Sequence, residues 1–171
     1  MKKVLLDTNV YEFILKYLKR KEVEQLTKIF IVYGHEVVRK ELRAIGKEKR
    51  IPWGVTGRSL RVALLTLYDF MTEKHQYRLT RDAVVLAEKY YVAYRSFGGS
   101  KDQHELLNDL MIVACASLKG LDVVVSEDKK TMLAHEEQKA YELANSLENL
   151  RTPDFIGFEE LQRKLGGVKL D

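Results

Sequence analysis

The chain is poor in everything that stiffens or anchors a protein from outside its core. One cysteine, Cys115, and four histidines in 171 residues exclude an internal disulfide and argue against a structural zinc site. Two prolines and ten glycines exclude collagen-like and low-complexity classes. The longest apolar run is Leu110–Ala116, far short of the ~20 residues of a membrane helix. Behind Lys2 and Lys3, the run Val4-Leu5-Leu6 stops at Asp7, whereas a secretory signal needs about 7–15 apolar residues there. The expectation is a reducing, cytoplasmic setting without a membrane. With 46% hydrophobic and 32% charged residues, a chain of this length builds its own core, as one domain over residues 1–171.

Charge of one sign is also scarce overall: 29 Lys/Arg against 25 Asp/Glu leave +4. Its distribution is uneven. Residues 1–62 hold 15 basic and 7 acidic side chains, and residues 63–171 hold 14 and 18. Arg39, Lys40, Arg43, Lys47, Lys49, Arg50, Arg58 and Arg61 are opposed in their own stretch only by Glu41 and Glu48. Taken alone, such a patch is most simply a solvated helix face. Beside a phosphate-handling site it would guide a polyanion and release its counterions.

Short apolar runs alternate with amphipathic stretches. Strands are expected at Val4–Leu6, Ile29–Tyr33 (closed by Gly34), Val123–Ser126 and Phe155–Phe158. Helical spacing runs from Asp7 to about Leu18, through Val23, Leu26 and Ile29, and over Glu36–Gly46, Leu60–Thr72, Arg81–Arg95 and Lys129–Asn145. Ser100 and Gln103 form a candidate capping box for a helix to about Leu118, and Gly120 is its stop. Lys47–Ser59, punctuated by Pro52, Trp53, Gly54 and Gly57, reads as a loop. The fold class is therefore α/β: a three-layer α/β/α sandwich on a central, mainly parallel sheet, with an extra helical pair in a 47–99 region.

Four acids sit awkwardly for solvated residues. Asp7 ends a core strand, and Asp128 follows another by two residues. Glu41 has Val37, Val38 and Ile45 beside it on its helix, and Asp109 has Leu106, Ile112 and Val113. If the first and fourth strands are neighbours, ~4.8 Å apart, their terminal acids meet at one rim of the sheet. Each acid alone is most simply a helix cap or an ion-pair partner. Gathered, they would repel and raise one another's pKa values, a conflict that a divalent cation removes; hard oxygen ligands suit Mg²⁺ or Mn²⁺.

In order and spacing these segments resemble the PIN-domain nucleases. Val4-Leu5-Leu6-Asp7-Thr8-Asn9 is similar to that family's opening. Val37-Val38-Arg39-Lys40-Glu41-Leu42 resembles its second acidic motif, and Asn108-Asp109-Leu110-Met111-Ile112-Val113-Ala114 with Ala116 its third. Val123-Val124-Val125-Ser126-Glu127-Asp128 resembles the strand ending in Ser/Thr-x-Asp. The resemblance spans about residues 1–132. It implies a PIN-like α/β/α fold and Mg²⁺- or Mn²⁺-dependent endoribonuclease activity. Asp7, Glu41, Asp109 and Asp128 would be metal ligands, with Ser126 and Asn9 placing ligands or water by hydrogen bonds. Many small prokaryotic members are VapC-type toxins, which implies a homodimer and an antitoxin partner; the 47–99 region is longer than a minimal toxin needs.

On that reading Arg39, Lys40, Arg43, Lys47, Lys49 and Arg50 guide the RNA backbone, and Trp53 is either an RNA contact or a hydrophobic plug. The alternative is a catalytically silent PIN-fold module that binds RNA or protein. A haloacid-dehalogenase-type phosphatase needs a second aspartate where Asn9 stands. His35 is expected as a turn or cap residue, and His75, His104 and His135 as surface residues. Tyr90, Tyr91 and Tyr94 are expected on a core or dimer face.

Overall fold

The computed structural model describes residues 1–54 and 57–166. Its elements run β1 (Lys2–Leu6), α1 (Thr8–Tyr17), α2 (Arg20–Ile29), β2 (Phe30–His35), α3 (Glu36–Ala44), α4 (Leu60–Thr72) and β3 (Gln76–Tyr77). They continue with α5 (Arg81–Ser96), α6 (Gln103–Leu118), β4 (Val123–Val125), α7 (His135–Leu147), β5 (Asp154–Ile156) and α8 (Phe158–Gly166). No helix among the described residues is long and apolar enough to cross a membrane.

The strands form one parallel sheet in the order β3-β2-β1-β4-β5. Val4, Leu5 and Leu6 are wholly buried, as are Val124 and Val125, which is why these strands are continuous apolar runs rather than alternating ones. Val4 pairs with Val32 on one side and with Val123 on the other. Strand order therefore reverses at β1/β4: the chain leaves β1 toward β2, and enters β5 on the far side. Such a reversal opens a crevice beyond the carboxyl ends of the strands.

Helices cover both faces. α4 packs on α1, α3 and β2, and α2 packs on β2 and α8; α5 packs on α6 and α7. The two helices of the 47–99 region thus belong to opposite layers of the sandwich. Residues 55 and 56 of the expected loop, and residues 167–171 of the expected domain, lie outside the described residues. The loop's two ends are tied by an antiparallel bridge between Arg50 and Ser59.

Several boundaries differ from the sequence expectation, each for a local reason. β2 does not close at Gly34 but runs through it to His35. A Cβ at Gly34 would lie 2.2 Å from the Tyr68 hydroxyl, so the glycine is needed for close packing of α4 rather than for a turn. β3 was not expected: it is two polar-edge residues, held where Gly34 N–H donates to the His75 carbonyl at 2.8 Å. α6 is capped by Asp102, whose carboxylate accepts from His104 N–H at 3.2 Å, and not by Ser100. The preceding residues are still closing α5, with Gly99 N–H on the Tyr94 carbonyl and Lys101 N–H on the Tyr94 hydroxyl. α7 starts at His135 instead of Lys129 because residues 128–133 turn around Asp128 first. At Gly120, φ of +62° ends α6 as expected.

Candidate metal centre

The four awkward acids line one pocket of about 310 Å³, together with Thr8, Asn9, Glu12, Leu42, Ile45 and Leu64. They arrive from four separate segments. Asp7 is the first residue beyond β1 and the N-cap of α1. Glu41 stands on α3 at the border of a buried stripe of Val37, Val38 and Leu42. Asp109 interrupts the buried face of α6, and Asp128 follows β4. The parallel pairing of β1 with β4, Leu6 opposite Val125, brings Asp7 and Asp128 to the same rim. Capping and pocket-lining are thus combined in Asp7.

A scaffold of hydroxyls and amides holds each carboxylate. Ser126, fully buried, donates through Oγ to Asp7 Oδ2 at 2.7 Å and accepts from Asp128 N–H at 3.0 Å. Thr8 N–H donates to Asp7 Oδ1 at 2.8 Å, and Thr8 Oγ1 donates to Glu41 Oε1 at 3.0 Å. Thr131 Oγ1 donates to Asp109 Oδ2 at 2.5 Å. Asp128 Oδ1 accepts from the Lys130 and Thr131 amides. Asn9 Oδ1 accepts from Glu127 N–H at 3.1 Å, which ties the start of α1 to the turn after β4.

None of the four acids has a cationic partner among the described residues. Burial comes first and neighbouring charge second in raising three of them. Burial pushes Asp7 up against the opposing bonds from Ser126 and Thr8, and the Asp128 charge adds to the rise. Burial likewise raises Glu41, with Thr8 opposing and Asp7 adding. Asp109 rises to about 7, first through burial and then through the charges of Asp7, Asp128 and Glu41, with the Thr131 bond opposing.

The donor set is hard oxygen throughout, with no Cys or His in the lining, which fits Mg²⁺ or Mn²⁺ and not a structural zinc ion. Among the described residues, no three His, Cys, Asp or Glu side chains are gathered tightly enough to hold a metal ion as they stand. Each carboxylate is turned to its own hydroxyl or amide, so a cation would compete with Ser126, Thr8 and Thr131 for these oxygens.

The expected RNA-facing residues are placed unequally. Arg39 is engaged by Asp69 of α4 through two bonds, 3.2 Å and 3.0 Å. Lys40 is exposed, 3.8 Å from Glu36, and Arg43, Lys47, Lys49 and Arg50 are exposed. Trp53 is half-buried against the core, with Lys16 Nζ 5.6 Å from its ring centroid. Lys16 lies nine residues beyond Asp7 on α1, about 13 Å along the helix, so Trp53 sits at the far end of α1 from the acids. His35 caps α3 through Nδ1, and burial lowers it to about 4. His104 and His135 are exposed, but His75 is half-buried beside Tyr33. Tyr90 and Tyr94 are core residues.

Sequence reasoning missed Thr8 and Thr131 as the hydroxyls that hold Glu41 and Asp109, and missed Glu12 as a fifth acid in the lining. Glu12 was legible: it follows Thr8 by one helical turn and so shares its face.

No protein-family model matches the chain, and no curated protein sequence matches it. Solved structures do. VapBC2 from Rickettsia felis, bound to a DNA fragment from their promoter, matches at 13% identity with a TM-score of 0.56, over 91% of this chain and 98% of that one. DNA-bound VapBC from Salmonella typhimurium matches at 19% and 0.55, over 92% and 99%. FitAcB from Neisseria gonorrhoeae matches at 13% and 0.51, over 91% and 98%. At such identities the likeness shows the fold, a PIN-like sandwich on a five-stranded parallel sheet.

Proposed function

We propose that this protein is a divalent-metal-dependent endoribonuclease and the toxin of a toxin–antitoxin pair. The observation that carries the reading is the convergence of Asp7, Glu41, Asp109 and Asp128 on one pocket with no cationic partner among the described residues. Bound there, Mg²⁺ or Mn²⁺ would supply an activated water and neutralise charge developing on a phosphodiester. The protein's own part is positional. Ser126 and Thr8 hold both oxygens of Asp7, and Thr131 aims Asp109. Lys40, Arg43, Lys47, Lys49 and Arg50 offer exposed cations to an RNA backbone on the flank of the helix that carries Glu41. Arg39 is reserved for Asp69, and Trp53 acts as a plug at the far end of α1.

An antitoxin partner is supported by the likeness to VapBC and FitAcB structures. It is also supported by an apolar groove of about 700 Å³ between α1, α2 and α4, where Val62 and Phe70 are exposed and Arg20 and Arg58 sit in the lining. A homodimer belongs to the same proposal, with light scattering of the purified chain as its check. The direct test is cleavage of RNA by the full chain in Mn²⁺. The wild type should cleave, and EDTA or Asp7→Asn should reduce cleavage to background. Cleavage that persists in EDTA overturns the metal reading.

A further inference from the structure

The acid pocket is not the only place where this fold buries charge. The side chain of Glu137, on α7, is 1% exposed and meets a single cation, Lys101, whose Nζ lies 2.9 Å from Oε1. Oε2 has no hydrogen-bond partner. Lys101 lies in the turn between α5 and α6, where its backbone is pinned on both sides. Its N–H donates to the Tyr94 hydroxyl at 2.9 Å, and its carbonyl accepts from the Tyr91 hydroxyl at 3.2 Å.

The same ammonium also donates to the carbonyl of Lys130. Lys130 belongs to the turn after β4. Its N–H and that of Thr131 hold Asp128 Oδ1 at 3.0 Å and 2.9 Å, and the Thr131 hydroxyl holds Asp109 Oδ2. Direct bonds therefore lead from Glu137 through Lys101 to a turn that fixes two of the four acids. A buried ion pair is a poor way to gain stability alone, since an apolar pair of similar volume does as well or better. This one reaches past its own partner to a backbone carbonyl two residues from Asp128.

We infer that Lys101, anchored by Glu137, is a positioning residue for the candidate metal centre: it fixes the 128–131 turn and thereby sets the affinity of the acids for a divalent cation. The inference rests on the metal reading above. Residues that orient metal ligands from behind typically cost about 10–100-fold in affinity when removed.

The test is calorimetric titration of Mn²⁺ into the full chain, joined to amide hydrogen exchange of the metal-free protein. Lys101→Met should weaken Mn²⁺ binding by about tenfold or more, and should speed exchange at Lys130, Thr131 and Leu133. Because that variant leaves a lone buried carboxylate and can fail to fold, Lys101→Met/Glu137→Leu is measured beside it; with both charges gone the fold should be retained. The double variant should melt near the wild type yet show the same loss of Mn²⁺ affinity. Wild-type affinity and unchanged exchange in the double variant overturn the inference alone. A wild type that binds no Mn²⁺ overturns it together with the reading it rests on.

Discussion

Asp109 and Glu137 belong to one helical layer, on α6 and α7, and the fold treats them in opposite ways. Glu137 is sealed from solvent and given a lysine. Asp109 is half-buried, given a threonine hydroxyl and set among three other acids, and its pKa climbs to about 7. Asp7, 5% exposed, is treated like Asp109. Carboxylates leave water at a high cost unless their charge is met. At Glu137 the chain supplies its own cation; at the pocket it gathers acids, and the described residues supply none.

Breaking the Glu137 side of this contrast should have the largest effect on stability. Lys101→Met should cost up to about 3–5 kcal/mol, the range for losing one partner of a fully buried pair, here an upper bound because the Lys101 side chain is 31% exposed; urea denaturation measures it, and adding Glu137→Leu should restore most of it. A cost below about 1 kcal/mol would mean that Glu137 does not depend on its lysine.

The Asp109 side predicts a dependence on pH. The carboxyl of Asp109 is raised from 3.8 to about 7 in the fold, so between those values the folded protein binds more protons than the unfolded chain. Stability from this group is full below pH ~4 and is lost as pH rises through about 7. Denaturation of the metal-free protein should show this decline, and Asp109→Asn should flatten it and raise the melting temperature by a few degrees. Stability that rises across the window would contradict the assignment.

Supplying a built-in cation to the rim should blur the contrast. Glu12 lines the pocket from the exposed side of α1, and Glu12→Lys should weaken Mn²⁺ binding by roughly tenfold, about 1.4 kcal/mol, while stabilising the metal-free protein. An unchanged titration would place the cation away from Glu12. The smallest effect belongs to the surface pair Arg20–Glu24, with side-chain exposures of 92% and 39%. Arg20→Ala should change stability by about 0.5 kcal/mol or less, which calibrates the Lys101 result.

Much of this arrangement is written locally. β1 and β4 are legible because Val4–Leu6 and Val123–Val125 are apolar and buried on both faces, and α4 because its apolar spacing runs from Leu60 behind a Ser59 cap. Asp7, Glu41 and Asp109 stand out because each interrupts or borders an apolar context, and Asp128 because it closely follows a strand; the meeting of Asp7 with Asp128 follows once β1 and β4 are neighbours. What was not legible depends on contacts far apart in sequence. Arg39 looks free until α4 brings Asp69 against it. Trp53 stands open between an RNA contact and a plug in the sequence, which does not show that the loop brings it to Lys16. Lys101 carries no sequence signal, because its partners lie 29 and 36 residues away and meet it only when α7 docks on α5. Even the Ser100 cap failed for this reason, since two tyrosines of α5 hold that turn.

The central claim is that the rim acids form a place for a cation, and anomalous scattering from a crystal of the full chain soaked in Mn²⁺ tests it most directly. A peak bonded to oxygens of Asp7 and Asp109, absent in Asp109→Asn, is the result predicted. No peak in the pocket, with all four acids still held only by their hydroxyls and amides, would contradict it.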